Sequence, residues 1–82
     1  MATMIERVGR AIYEGRNGVG AVPWARLKGD YKLPYLSDAS AAIAAMRGPT
    51  EHVRRAGWVE SDSRSELAVW HAMIDAALEE KP

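Results

Sequence analysis

Apolar residues recur along this chain at helical rather than alternating intervals, which predicts an all-α fold: a small bundle of three to five helices. Met4, Ile5, Val8, Ala11 and Ile12 form the first stripe. Thr3 and Glu6 stand at capping-box spacing, so the helix should start at Met4. Arg16, Asn17 and Gly18 should close it, because Asn and Gly tolerate the left-handed backbone that ends helices. Leu36, Ala39, Ile43 and Met46 mark the inner face of a second helix, capped by Ser37 or Asp38 and stopped by Gly48-Pro49. Thr50 caps a short third helix from Glu51 to Ala56, with Gly57 as its stop and Trp58-Val59 as an apolar anchor. Ser63 and Glu66 repeat the capping-box spacing before the last helix. On that helix Leu67, Trp70, Met73, Ile74, Ala77 and Leu78 share one stripe, while Glu66, Asp75, Glu79 and Glu80 lie outside it.

Residues 17–36 are the least regular stretch, and the pattern predicts an ordered aromatic loop there, within one helical domain spanning residues 1–82. Pro23 suits the first position of a short helix over Trp24 to Lys28, and Gly29-Asp30 should stop it. Val19 to Val22 is the one place with room for a very short strand. Trp24, Leu27, Tyr31, Leu33 and Tyr35 are too apolar for a disordered linker. The two terminal helices are expected to pack on each other, with Ile12, Ile43, Trp70 and Ile74 mostly buried. On that reading Trp70→Ala would cost roughly 3–5 kcal/mol.

Charge changes this picture only locally. Eleven basic and eleven acidic residues cancel overall, but residues 1–59 hold nine Lys and Arg against five acids, and the rest hold two against six. A general nucleic-acid binder shows a clearer basic excess. Two oppositely charged surfaces that pack or steer each other are the favoured explanation of the asymmetry. No run of about 18 apolar residues suggests a membrane span. Residues Met1 to Glu6 lack the basic and apolar regions of a signal peptide, so a cytoplasmic protein is expected.

Catalytic chemistry finds little to use. The chain has no cysteine and two histidines, and no serine sits in a Gly-x-Ser-x-Gly elbow. Asn17-Gly18-Val19-Gly20 lacks the Lys-Ser/Thr pair of a phosphate loop and reads as a turn. His71 and Asp75 share a helix face, but a metal site needs three or four ligands, and spacing supplies no third. The expectation is a binding protein that is not an enzyme and uses no cofactor or metal. Its candidate binding residues are Trp24, Arg26, Lys28, Tyr31, Lys32 and Tyr35, joined by Arg54 and Arg55. Cations mixed with aromatics can hold phosphates and stack bases. The favoured reading, given how few other large apolar residues are available, is that the same aromatics cap a small core while the cations stay in water.

Three segments carry a resemblance: Met4-Ile5-Glu6-Arg7-Val8-Gly9-Arg10-Ala11-Ile12, then Ala41-Ala42-Ile43-Ala44-Ala45-Met46-Arg47-Gly48-Pro49-Thr50, then Val69-Trp70-His71-Ala72-Met73-Ile74-Asp75-Ala76-Ala77-Leu78. Together they resemble a group of small bacteriophage and prophage proteins, mostly from alphaproteobacteria. The likeness lies in helix-core positions and brings no functional residues with it. It implies a phage-derived inhibitor of host machinery, of the anti-CRISPR type, whose partner is a host protein or protein complex. A nucleic-acid-binding accessory or regulatory module is the alternative.

Overall fold

The computed structural model describes residues 2–80; Met1, Lys81 and Pro82 of the expected 1–82 domain lie outside them. Four α-helices are present: α1 (Met4–Asn17), α2 (Gly29–Ala45), α3 (Glu51–Glu60) and α4 (Glu66–Glu79). Trp24–Arg26 and Ser61–Ser63 form single 3-10 turns. Among the described residues there is no strand, and Val19 to Val22 is irregular. Contacts group the chain into two compact units, Met1–Arg47 and Gly48–Pro82. Each is a helix pair and is described by itself. Within the first unit α1 packs against α2, and within the second α4 packs against α3.

In the first unit the cap of α1 follows the sequence. The Glu6 amide donates to Thr3 Oγ1 at 3.1 Å, the Glu6 carboxylate turns back to the Thr3 amide, and Gly18 ends the helix at φ 69°. The buried face differs from the expected stripe. Gly9 and Tyr13 are buried, Val8 and Ile12 are half-buried, and Met4, Ile5 and Ala11 are exposed. Close approach at Gly9 explains the shift: a Cβ there would stand 3.2 Å from both the Tyr35 carbonyl oxygen and Leu36 Cδ2. α2 therefore rests on the Gly9–Tyr13 side of α1.

The irregular segment is shorter than expected, because α2 begins at Gly29 instead of Ser37 or Asp38. Gly29-Asp30 starts a helix here and does not stop one. The extended Lys28 offers its carbonyl to the Tyr31 and Lys32 amides at 3.0 and 3.2 Å. Asp30 places negative charge at the positive end of the helix dipole. Pro34 lies inside the helix. Its missing N–H forfeits one bond near the N-terminus, which packing against α1 can offset. Ala39 is buried as the inner-face pattern predicts; Leu36 is half-buried, Ile43, expected mostly buried, is also only half-buried, and Met46 is exposed. The expected Trp24–Lys28 helix is only the 3-10 turn, with Pro23 as its cap residue.

The second unit departs further. Thr50 caps α3 through the Val53 amide at 3.3 Å, but Gly57 does not stop the helix, which continues to Glu60. Gly57 is the crossing point instead. A Cβ at this position would fall 2.7 Å from Met73 Sδ, so α4 approaches closely only because none is there. Trp58 and Val59 do not anchor anything; they are 76% and 63% exposed. The cap of α4 is Ser65, which accepts from the Ala68 amide at 3.1 Å. Ser63 accepts from the Ser65 amide and shapes the preceding turn, where Arg64 takes a left-handed conformation at φ 58°.

The face that α4 turns inward is built from small residues and one flexible one. Ala76 is buried, and Ala68, Val69, Ala72 and Met73 are half-buried. Leu67, Trp70 and Leu78, expected inside, are 58%, 48% and 79% exposed. Ile74 is half-buried. Small residues at a glycine crossing let helices sit close, and a closely packed pair has no interior large enough for Trp or Leu.

Candidate binding surfaces

The basic–aromatic group of the first unit divides into a packed part and a free part. Tyr13, which the stripe pattern passed over, is its centre. Its ring lies 5.7 Å from Trp24 and 5.1 Å from Tyr35, the latter edge to face. Trp24 and Tyr35 close the triangle at 6.3 Å. Such pairs contribute roughly 0.5–1.5 kcal/mol beyond the area they bury. The Tyr13 hydroxyl donates to the Val22 carbonyl and so ties down the connection before the 3-10 turn. Asn17 Nδ2 donates to the Tyr13 carbonyl at 2.8 Å and to the Tyr35 hydroxyl at 3.3 Å. Lys32 Nζ stands 5.2 Å from the centre of the Trp24 ring, a cation–π distance. Trp24, Lys32 and Tyr35 are thus half-buried structural partners.

Arg26, Lys28 and Tyr31 are exposed, Tyr31 by 65%. Tyr31 and Tyr35 line an open groove of about 380 Å3 together with Asn17, Asp30 and Pro34. Asp30 is the one charged residue among those lining it.

Arg54 and Arg55 belong to the second unit, on the outer side of α3. Both are exposed, and both turn back to Glu51, at 2.6 and 3.6 Å. With Trp58 they border an open depression of about 320 Å3. Exposed ion pairs of this kind contribute little stability, but they offset part of the positive charge that an anionic partner would meet. His52 Nε2 lies 3.6 Å from Glu79 Oε1, linking α3 to the end of α4. Among the described residues no three His, Asp or Glu side chains gather as metal ligands.

The largest apolar feature of the second unit lies outside the predicted set. At about 100° per residue, Leu67, Trp70, Ile74 and Leu78 line up on the side of α4 opposite Ala76. The helix is therefore apolar on two sides: small residues face α3, and large ones stand uncovered. The sequence displayed this stripe plainly. What it hid was a second, smaller stripe able to compete for α3. No helix among the described residues is long and apolar enough to cross a membrane. No family description, curated protein or solved structure matches the chain.

Proposed function

We propose that this chain works by protein–protein contact and catalyses nothing, as a small phage-derived inhibitor of a host macromolecular machine, with an anti-CRISPR action as its sharpest form. One observation carries the contact reading: large apolar side chains such as Trp58, Leu67, Trp70 and Leu78 stand at the surface, whereas the buried apolar side chains among the described residues are Tyr13, Ala39 and Ala76. Exposed large apolar residues in a row favour a protein partner. The host-inhibitor element rests on the resemblance of the three helical segments.

The nucleic-acid alternative loses two of its stacking rings, since Trp24 and Tyr35 are engaged with Tyr13. What favours it is that Tyr31, Arg26 and Lys28 are all exposed within six residues of sequence. A tagged chain purified from the host with nuclease present separates the two readings. A stoichiometric protein partner that survives nuclease supports the proposal. Loss of all partners on nuclease treatment, with a gel shift that fades steeply with salt and with Arg26→Ala/Lys28→Ala, would support the alternative instead.

A further inference from the structure

We infer that the outer face of α4 is a docking site for a cationic amphipathic helix, one with an apolar stripe flanked by Lys or Arg. The inference rests on the protein-contact reading and names the chemistry of the partner.

A helix that is apolar all round is normally covered all round. α4 meets α3 through Ala68, Val69, Ala72, Met73 and Ala76, yet its opposite side presents Leu67, Trp70 and Leu78 to solvent. The spacing 67, 70, 74, 78 is the i, i+3, i+7 pattern by which one helix lies along another. Trp70, large and half-exposed at the middle of this stripe, has the position and residue type of an interface anchor.

Charge selects the occupant. Glu66–Glu79 contains no Lys or Arg, and its charged residues are Glu66, Asp75 and Glu79, with Glu80 just beyond. At about 100° per residue, Glu66 borders the stripe on one side and His71 and Asp75 border it on the other, while Glu79 lies towards α3, where it meets His52. Each margin carries one carboxylate, Glu66 on one side and Asp75 on the other. An anionic or neutral helix in this seat would leave those carboxylates without partners, and a second copy of α4 would set acid against acid. A helix with basic margins would pair them. His52 already meets Glu79, so Glu66 and Asp75 are the carboxylates with most to gain.

The test uses the full chain and two synthetic helical peptides of the same 14-residue length as α4. Both carry Leu at the stripe spacing; one has Lys at the margins and the other Glu. Titration calorimetry is expected to show the Lys peptide binding at least about tenfold more tightly than the Glu peptide. Leu67→Ser/Leu78→Ser should abolish that binding while leaving the helical circular dichroism intact, since both side chains are exposed. Asp75→Lys alone, a change of one exposed charge, should narrow the preference between the peptides. Equal binding of the two peptides, or undiminished binding to the serine variant, overturns the inference. So does concentration-dependent self-association lost on Leu67→Ser, because a second copy would then be the occupant. A nuclease-resistant host partner whose capture is unaffected by Leu67→Ser/Leu78→Ser would leave the protein-contact reading standing and remove this one.

Discussion

The two helix pairs use the same device and reach different interiors. Each crosses at a glycine, Gly9 in one and Gly57 in the other. At Gly9 the neighbour is partly backbone, and the space beside the crossing is filled by Tyr13, Trp24 and Tyr35 with their hydrogen bonds. At Gly57 the neighbour is the flexible Met73 side chain, and the interior beyond it is alanine. The first pair therefore keeps large side chains for its own cohesion. The second spends little on its interior and leaves its largest apolar residues outside. Apolar content alone does not say which residues hold a fold together; the closeness of the helix crossing does.

Substitutions in the two interiors put the contrast to the test. The largest effect is expected from Tyr13→Ala, which removes the 7%-exposed centre of the aromatic cluster. Truncating a buried aromatic costs roughly 3–5 kcal/mol, enough to melt the first pair. Urea denaturation followed by circular dichroism measures it, and a midpoint unchanged from the parent would refute the cluster's role.

The glycines should respond unequally to alanine. At Gly9 the added methyl meets a carbonyl oxygen that cannot move without shifting α2, so a net loss of about 1 kcal/mol is expected despite the gain in helix propensity. At Gly57 the added methyl would stand 2.7 Å from Met73 Sδ and 2.8 Å from Cγ near the root of that side chain, so the helices must part or Met73 must repack, and a larger loss of about 1–3 kcal/mol is expected. Matched thermal melts of the two variants check the order. A harmless Gly57→Ala would show that Met73 turns aside freely and that the glycine does not set the closeness of the crossing.

Trp70→Ala should cost only about 1 kcal/mol, because a half-exposed side chain gains about half the transfer free energy of a buried one. This replaces the larger loss that the stripe pattern suggested. A loss above about 3 kcal/mol, measured in the same urea series, would mean that Trp70 is covered in solution. The smallest effect concerns Arg64, which holds a left-handed backbone at φ 58°. Arg64→Gly should relieve that strain and stabilise the second pair by about 0.5–1 kcal/mol. A lower melting temperature would show that the arginine side chain compensates in some other way.

Helical class, the caps at Thr3 and Thr50, and the Gly18 terminus were legible because each depends on residues within one turn of each other. Where two local signals competed, reading them singly failed. Gly29-Asp30 and Gly57 both look like stops, yet the first opens α2 and the second lies within α3. Of the candidate site, Arg26, Lys28 and Tyr31 are exposed as a binding role requires, whereas Trp24, Lys32 and Tyr35 are engaged in packing. Tyr13, Asn17 and Trp58 were missed, since their importance lies in neighbours distant in sequence or in exposure.

Local order is written in the amino-acid sequence: which segments are helical, where most caps lie, and how charge is shared along the chain. The choice between the two apolar stripes of α4 belongs to the tertiary structure. Hydrophobicity favours burying Leu67, Trp70 and Leu78, but close approach at Gly57 admits only Ala76 and its small neighbours. Packing is decided by shape at the point of contact, and that shape exists only once two helices meet.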